Sequence, residues 1–348
     1  MDTGCLAACR RQPVFAMFTL GSDQKINFSY SYRVRKLKVY RKVNMQRYNS
    51  ASEYYKTRFG KKMFKLAVDG GFTCPNRDGT KGIGGCIFCS EQGSGDFAAK
   101  GNDIASQLAE AKDKIIHKVA GEAGYICYFQ SYTNTYAPVE KLRRLFTEAI
   151  SFDFVDALSV ATRPDCVNSE NAALLGELAK VKPVFAELGL QTSNEKTAEY
   201  INRCYPNEDF TKAVRLLRLN GVEVTAHVII GLPKEIEVDC INTIEFLNRH
   251  DIRGVKLQLL HVLKGTALAE TDVRVLDMEE YFNILGRCIN HLRDDIVVHR
   301  LTGDGAKKDL IAPLWSADKH AVLNGFSHYM KVNDIVQGKE CINKRVNM

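Results

Sequence analysis

The feature that most constrains the fold of this chain is an alternation of short apolar runs with longer amphipathic stretches, which begins near residue 62. The runs are rich in β-branched and aromatic residues and have the length of strands, whereas the amphipathic stretches have the length of helices. The runs cover residues 63–68, 125–129, 157–161, 184–190, 222–230 and 255–262, and the stretches cover residues 103–118, 139–149, 169–180, 195–204, 209–220 and 238–250. This order is typical of a parallel sheet flanked by helices.

Six such units predict a barrel or partial barrel, in which the active site lies at the carboxyl ends of the strands. A chain of 348 residues that is 45% hydrophobic could form one barrel of about 250 residues or two smaller domains, and the repeated units favour the barrel. A seventh run at residues 296–299 leads into a tail that could close it. The predicted fold is therefore α/β, a partial (β/α)6 TIM-like barrel with a C-terminal extension.

Three cysteines follow the first run, with the spacing C-x11-C-x2-C: Cys74, Cys86 and Cys89. Thiolates are the ligands that iron–sulfur clusters need, and the glycines between them let the loop wrap closely around an inorganic core. Three thiolates leave one iron of a cubane open to a substrate. The alternatives are a Cys3His zinc site and three unligated cysteines. The loop contains no histidine, and the nearest in sequence is His117.

This loop resembles the cluster loop of the radical SAM superfamily, including the aromatic Phe88 before the last cysteine. The commonest superfamily spacing is C-x3-C-x2-C, and the longer first interval resembles the Elongator-like branch and, within it, the YhcC/YtqA type. The resemblance runs from about residue 48 to about residue 323. It implies a radical SAM barrel, a [4Fe–4S] cluster held by the three cysteines, and an enzyme that cleaves S-adenosylmethionine (SAM) to a 5′-deoxyadenosyl radical. It also implies an external electron donor such as flavodoxin or ferredoxin.

Polar residues follow the later runs, and the resemblance implies that several of them bind SAM. A glutamine can hydrogen-bond the ribose hydroxyls and an arginine can pair with the carboxylate. The implied cofactor-binding residues are Phe88, Gln130, Ser131, Thr162, Arg163, Glu187, Gln191, Arg203 and His227. An ordinary polar turn at 130–136 and a satisfied core histidine at 227 are the alternatives.

The last run and the tail supply candidate substrate contacts. Lys256, Gln258 and His261 alternate with apolar residues, so they could line the barrel interior and hold a substrate anion or donate protons. In the tail, Arg300 and Trp315 also match the family pattern. The alternatives are packing of the strand face and a core role for the only tryptophan.

The resemblance suggests that the substrate is the wobble uridine of tRNA, with its carboxymethylaminomethyl side chain converted to aminomethyl. The net charge of +7 agrees with a nucleic-acid partner, but ten Lys or Arg lie in residues 1–50 with only Asp2 and Asp23 to offset them. This basic segment could contact RNA or be a poorly ordered extension. The remaining alternatives are a radical SAM enzyme for a small metabolite and a non-catalytic, metal-stabilised RNA-binding protein.

The predicted domains are a basic N-terminal extension at residues 1–47, a core at 48–295 and a C-terminal extension at 296–348. No apolar run reaches the roughly 18 residues that a membrane span needs. The eleven cysteines are scattered through a large charged chain without a convincing signal peptide, which differs from a secreted disulfide scaffold. We therefore expect a cytoplasmic protein without a membrane span.

Overall fold

The computed structural model describes residues 46–93, 95–119, 121–303 and 305–342. Its strands are β1 (Lys62–Val68), β2 (Ala123–Phe129), β3 (Val155–Thr162), β4 (Val184–Gln191), β5 (Glu223–Ile230), β6 (Gly254–Leu259), β7 (Val262–Leu263), β8 (Val297–Arg300) and β9 (Leu310–Ala312). Seven of them form one parallel sheet in the order β1-β2-β3-β4-β5-β6-β8, which curls into a half-barrel. The predicted partial barrel is confirmed, with one strand more than the six units of the pattern.

Helices connect the strands and cover the outer face of the sheet. They are α1 (Ala51–Phe59), α2 (Ile104–Ile115), α3 (Val139–Ser151), α4 (Ser169–Ala179), α5 (Glu195–Tyr200), α6 (Asn207–Leu219), α7 (Glu237–Asn248), α8 (Met278–His291) and α9 (Lys319–Val332). Asp103 and Asn168 accept hydrogen bonds from backbone amides in the first turns of α2 and α4. These capping residues, in addition to the apolar pattern, determine where the two helices begin.

Two predicted elements end earlier than the pattern suggested. The stretch 195–204 is helical only to Tyr200, because Asn202 and Cys204 adopt positive φ values of 55° and 59°, which a right-handed helix does not allow. The run 255–262 breaks after Leu259 at the end of β6. Val262 instead starts β7, which pairs antiparallel with β9 in a separate two-stranded sheet.

The two faces of the barrel strands differ in chemistry. Outward residues such as Leu66, Leu188 and Val228 pack under the helices in the main core, because strands buried on both faces carry apolar side chains toward their helices. Inward residues at alternating positions are polar in the middle of the barrel, as in Glu187 of β4 and Lys256 of β6. The inner face is therefore where the candidate site residues meet.

Helix α1, which the periodicity did not predict, closes the N-terminal end of the barrel. Tyr55 is buried there with Ile126, Ala157 and Phe185, and its ring centroid lies 5.8 Å from that of Phe185. Ser50, at the N-terminus of α1, forms a parallel bridge with Val298 of β8. The helix thus spans the side opposite the strand carboxyl ends.

The C-terminal region contributes to the same barrel. Strand β8 pairs parallel with β6, and the buried Phe282 of α8 packs on Phe326 of α9 at a ring distance of 5.5 Å. The predicted division at residues 295 and 296 stays a prediction, and the basic segment up to residue 45 lies outside the described residues. Among the helices in the described ranges, none combines the length and apolar character needed to cross a membrane.

Candidate active site

A cavity of about 250 Å³ opens at the carboxyl ends of the barrel strands, between the cysteine loop and the C-terminal turn. Most of the predicted site residues line it: Cys74, Cys86, Cys89, Phe88, Gln130, Thr162, Arg163, Glu187, Gln191, His227, Lys256, Gln258, His261 and Arg300. The structure therefore brings residues from positions 74 to 300 to one site. Ser131, Arg203 and Trp315 do not line this cavity.

The cysteine loop is held in shape by amide and guanidinium donors. Asn76 is fully buried, and its Nδ2 donates to the backbone oxygen of Asn202 at 2.6 Å and approaches Cys86 Sγ at 3.7 Å. Arg77 donates through Nη2 to the carbonyls of Cys89 and Ser90, at 3.1 and 2.6 Å. These contacts fix the backbone around the two cysteines that are close in sequence.

The glycines of the loop allow this close packing. A Cβ on Gly82 would lie 2.1 Å from Asn76 Oδ1, which leaves no room for a side chain. Gly85 has a φ of 83°, which L-residues with side chains rarely adopt. Its amide donates to the carbonyl of Asn76 at 2.7 Å. Only glycine allows the chain to turn here next to Cys86.

Burial and charge repulsion disfavour free thiolates in the loop. Burial, and then the proximity of Cys89, raise the pKa of Cys86 to about 12, while the Arg163 cation opposes them. Burial also raises the pKa of Cys89, and Arg77 acts in the opposite direction. Without bound cationic metal these two thiols stay protonated at neutral pH. The donor set therefore fits a ligand that brings its own positive charge, as iron does.

The described residues contain no group of three or more His, Cys, Asp and Glu side chains arranged to hold a single metal ion. The ligands of one zinc ion must converge on a single point. In a cubane, by contrast, each thiolate binds a different iron. Three cysteines around one cavity fit a polynuclear cluster on these grounds, and the assignment of the three as cluster ligands stays a prediction.

The ends of β2 and β3 supply hydrogen-bonding groups beside the cysteines. Gln130 lines the cavity directly after β2. Thr162 Oγ1 lies 2.6 Å from Thr135 Oγ1, so the two hydroxyls share a hydrogen bond. Arg163 binds Asp165 through Nε and Nη2, both at 3.0 Å, and lies over the Tyr205 ring at 4.8 Å. This pair holds the guanidinium at the cavity wall.

Gln191, at the end of β4, has the clearest signature of a ligand contact. Its backbone is strained, with a φ of 67°. Its Oε1 is buried and has no hydrogen-bond partner. Because a buried acceptor without a partner costs roughly 1–3 kcal/mol, such an atom at a cavity wall indicates a missing donor from a ligand. A ribose hydroxyl is such a donor.

Arg203 occupies a different position from the one that its predicted role requires. It is fully buried, and its Nη1 donates to the carbonyls of Leu190 and Thr192 at 2.9 and 2.7 Å. Its Nε and Nη2 both donate to the carbonyl of Tyr205, at 3.0 and 2.8 Å. The predicted contact of Arg203 with the SAM carboxylate therefore has no geometric support. The guanidinium instead holds the backbone on both sides of Gln191 through hydrogen bonds to the Leu190 and Thr192 carbonyls.

Inside the barrel, six inward-facing side chains form one hydrogen-bonded group, here called the Glu187 cluster, and four of them line the cavity. Its members are Lys65, Tyr128, Ser159, Glu187, His227 and Lys256. Glu187 Oε1 accepts from Ser159 Oγ at 2.9 Å and from Lys65 Nζ. Glu187 Oε2 accepts from Tyr128 OH at 3.0 Å, from His227 Nε2 at 2.8 Å and from Lys256 Nζ. One buried carboxylate thus organises donors from five strands.

The electrostatics of the Glu187 cluster follow from this arrangement. Burial alone would raise the pKa of Glu187, but Lys256, Lys65 and His227 outweigh it and hold the pKa well below its usual range. Burial and the charge of Lys256 lower the pKa of His227 to about 4, so its imidazole is neutral. Burial lowers the pKa of Lys256 to about 7, although Glu187 opposes the change. The cluster carries net positive charge whenever Lys256 is protonated.

At the C-terminal side of the cavity, His261 holds the turn that follows β8. Its Nδ1 accepts from the Gly305 amide at 3.1 Å, and its Nε2 lies 3.0 Å from Ser316 Oγ. The Ser316 hydroxyl donates to the carbonyl of Pro313, so His261 Nε2 is the donor in its own contact with Ser316. Arg300 Nη1 donates to Gln258 Oε1 at 3.1 Å. His261 therefore positions this wall of the cavity.

Ser131 and Trp315 lie outside the cavity for different reasons. A Cβ on Gly95 would lie 2.2 Å from Ser131 Oγ, which shows that the turn after the cysteine loop covers this residue. Trp315 donates from Nε1 to the carbonyl of Leu276 at 3.1 Å, and its ring lies 5.8 Å from that of Tyr281. The indole is thus anchored on the main core, and its predicted substrate contact has no geometric support.

Several residues that complete the site were not predicted from the sequence. Lys65 and Tyr128 bind Glu187, Arg77 supports the cysteine loop, and Tyr205 lies against Arg163. Period-2 alternation could have found Tyr128, because it lies two positions before Gln130 and points to the same face of β2. For the others, no sequence signal distinguishes a site residue from a surface one.

Comparisons with protein families and known proteins agree with this geometry. The Radical SAM superfamily model matches residues 74–247, and the Radical_SAM C-terminal domain model matches residues 252–332. The chain is 38% identical to YtqA of Bacillus subtilis over 299 residues, which cover 84% of this chain and 92% of the relative. It is 35% identical to YhcC of Escherichia coli over 286 residues, which cover 80% and 90%.

More distant similarities cover less of the chain or show the fold alone. The tRNA uridine(34) acetyltransferase of Methanocaldococcus jannaschii is 31% identical over 117 residues, 33% of this chain and 21% of that protein. The structure of the archaeal Methanocaldococcus infernus Elp3, lacking residues 1–46, superimposes with a TM-score of 0.59 at 15% identity. That superposition covers 79% of this chain and 64% of the other.

Proposed function

This chain belongs to the radical SAM superfamily, together with YtqA and YhcC, and we propose that it remodels the wobble uridine side chain of tRNA. The proposed conversion takes a carboxymethylaminomethyl group to an aminomethyl group. The observation that carries the proposal is a single cavity with three cysteines at its mouth, a glutamine acceptor without a partner in its wall and a cationic cluster at its base.

Enzymes of this family use a [4Fe–4S] cluster and SAM, and these are the cofactors of this chain. Cys74, Cys86 and Cys89 would hold the cluster, which leaves one iron without a protein ligand. When bound and reduced by one electron, the cluster would supply the cleavage of SAM to methionine and a 5′-deoxyadenosyl radical. Flavodoxin or ferredoxin is the proposed source of that electron.

The residues of the cavity wall would orient SAM through hydrogen bonds. Gln191 offers an acceptor for a ribose hydroxyl, and Gln130 and Thr162 offer polar groups between the cysteines and the strand ends. Arg163 would contribute positive charge near the carboxylate of SAM while Asp165 holds it in place. Phe88 would cover the cluster from the loop. Holding the cofactor in one orientation limits the radical to one C–H bond of the substrate.

The named relatives support tRNA as the substrate class. One of them is a tRNA uridine(34) acetyltransferase, and another is a tRNA-2-methylthio-N(6)-dimethylallyladenosine synthase that is 25% identical over 127 residues. The similarity to the acetyltransferase covers only 21% of that protein, so acetyl transfer is not part of the proposal.

The net reaction balances without a further oxidant. SAM, water and the carboxymethylaminomethyl group give methionine, 5′-deoxyadenosine, the aminomethyl group, glyoxylate and a proton. The carbon between nitrogen and carboxylate is oxidised by two electrons to the aldehyde of glyoxylate, and SAM is reduced by two. The C–N bond breaks through addition of water, and the electron that starts the cycle is recovered at its end.

Anaerobic reconstitution tests this proposal. The purified chain is loaded with iron and sulfide, reduced with dithionite, and supplied with SAM and tRNA that carries carboxymethylaminomethyluridine. We expect 5′-deoxyadenosine and aminomethyluridine from the wild type and from Cys204→Ala, since Cys204 is exposed and lies outside the cavity. Cys86→Ala should give neither product.

The outcomes separate the alternatives. Formation of 5′-deoxyadenosine that does not depend on tRNA, with no change in the uridine, would point to a small metabolite as substrate. A reconstituted wild type that binds zinc, or a cluster that leaves SAM intact, would refute the enzymatic role altogether.

A further inference from the structure

The Glu187 cluster contains two ammonium groups for one carboxylate. Lys65 Nζ contacts Oε1 of Glu187 and Lys256 Nζ contacts Oε2, so both cations depend on the same negative charge. The two lysines differ in environment. The Lys256 side chain is 6% exposed and lines the cavity, whereas the Lys65 side chain is 25% exposed and lies behind it. Lys65 can therefore neutralise Glu187 without any contribution from Lys256.

Neutral donors already occupy the remaining capacity of Glu187. Ser159, Tyr128 and His227 each donate to it, at 2.9, 3.0 and 2.8 Å. The carboxylate is thus held in one position by groups from β2, β3 and β5, and its single negative charge is shared between Lys65 and Lys256. A buried charge without full compensation is costly, and the cost is recovered when a ligand supplies the opposite charge.

Among the described residues, no carboxylate other than Glu187 lies beside Lys256 in the cavity wall. Among the described residues that line the cavity, the acids are Glu187 and Asp96. Asp96 accepts from Ser90 Oγ at 3.3 Å, next to the cysteine loop and at the opposite end of the cavity from the Glu187 cluster. The base of the cavity is consequently positive and selects against cationic groups.

We propose that Lys256 binds a carboxylate of the substrate at the base of the cavity, with Glu187 and Lys65 acting as the positioning pair that leaves its charge available. This inference rests on the function proposed above and specifies which part of the substrate is recognised. The carboxymethyl end of the uridine side chain would enter first and pair with Lys256. The C–H bonds next to that carboxylate would then lie between Lys256 and the cysteine end of the cavity.

The pKa of Lys256 supports binding of the substrate with its carboxylate next to Lys256. Burial lowers its pKa to about 7, and the charges of Lys65 and Arg300 act in the same direction as burial. A carboxylate at contact distance opposes all three influences and stabilises the ammonium form. Substrate binding and protonation of Lys256 therefore reinforce each other.

An equilibrium binding experiment on the holoenzyme tests the proposal. The reconstituted, unreduced enzyme with SAM is titrated with two anticodon stem-loops, one carrying carboxymethylaminomethyluridine and the other its carboxamide. We expect the wild type to bind the carboxylate form about 10- to 100-fold more tightly, the usual range for a charge-assisted hydrogen bond. Lys256→Met should bind both forms with equal affinity.

The variant is expected to fold, because Glu187 keeps Lys65 and its three neutral donors after the change. The visible absorbance of the cluster and the far-UV circular dichroism of each variant verify this. Lys264→Met is the matched control. Lys264 is exposed in the turn after β7, and this variant should discriminate between the two stem-loops as the wild type does.

Two results would overturn the inference: a wild type that binds both stem-loops equally or not at all, and a Lys256→Met variant that keeps the wild-type preference. Failure of the proposed function has a different signature. In that case the wild type prefers the carboxylate form but produces no aminomethyluridine after reduction, and the carboxylate site stands without the reaction.

Discussion

Replacement of Arg203 by methionine distinguishes a structural residue from a cofactor ligand. The guanidinium is fully buried and donates to three backbone carbonyls, those of Leu190, Thr192 and Tyr205. Methionine fills similar space but donates no hydrogen bond. The variant would remove the guanidinium donors from the carbonyls of Thr192 and Tyr205, whereas the Leu190 carbonyl keeps its hydrogen bond from the Thr192 amide.

The magnitude follows from the two carbonyls that lose their donors. A buried acceptor that loses its partner costs roughly 1–3 kcal/mol, and water entering the site recovers part of the loss. The ion pair with Glu195 adds little, since the Glu195 side chain is 53% exposed. We expect the free energy of unfolding to fall by about 4 kcal/mol. With about 2.1 cal/mol/K of unfolding entropy per residue over about 300 residues, Tm falls by about 6 °C.

Urea unfolding followed by circular dichroism measures this change on the reconstituted protein, with Arg144→Met as control. Arg144 is exposed on α3, so its replacement should change stability by less than about 0.5 kcal/mol. Arg203→Lys should not restore stability, because a single ammonium group cannot reach all the carbonyls that the guanidinium contacts. The structural role of Arg203 is refuted if Arg203→Met unfolds like the wild type while its affinity for SAM falls tenfold or more. Arg203 would then be a cofactor ligand.

Three further changes test other parts of the structure. Gln191→Gly relieves a positive φ and removes an acceptor without a partner, so the free energy of unfolding in urea should be unchanged or about 1 kcal/mol higher. Equilibrium dialysis should show weaker SAM binding by this variant. Unchanged SAM affinity would contradict the role of Gln191. Burial and the Lys65 charge lower the pKa of His299 to about 3, below the value of about 6.5 in an unfolded chain, so the folded state loses stability as pH falls from about 6.5 toward 3. At pH 5 this loss is about 2 kcal/mol, and urea unfolding of His299→Leu at pH 5 and 7 should show a pH dependence smaller by that amount; an equal dependence in both proteins would refute a buried neutral imidazole. Tyr55→Ala should cost about 3 kcal/mol in the same assay if α1 closes the barrel, whereas Tyr200→Ala on the more exposed end of α5 should cost less than about 1 kcal/mol.

Local pattern was sufficient for the barrel strands and most of their helices. Most barrel strands, such as β2 and β4, are buried on both faces, so the apolar runs stand out over five to nine positions. Capping residues such as Asp103 mark where a helix begins. The pattern was insufficient for α1 and for the end of α5. Tyr55 of α1 is the only buried residue of its helix, so it leaves no apolar stripe. The positive φ of Asn202 accompanies a hydrogen bond from its side chain to the carbonyl of Gly85 in the cysteine loop, a contact that the local pattern does not contain.

The amino-acid sequence by itself determined the chemistry that the chain can perform. Cys74, Cys86 and Cys89 lie in one short glycine-containing loop, and their spacing does not depend on how the rest of the chain folds. The same holds for the order of strands and helices, because each element is specified by residues within about ten positions of one another.

Only the tertiary structure decided which polar residues share the cavity and which support it. Glu187 is separated from Lys65 by 122 positions and from Lys256 by 69, and neither pairing has a signature in sequence. Arg203 binds backbone carbonyls, and because every residue carries one, the residue types in the sequence do not identify its partners. Hydrogen bonding and charge compensation act between neighbours in space, and that is why the base of the cavity became visible only in the folded chain.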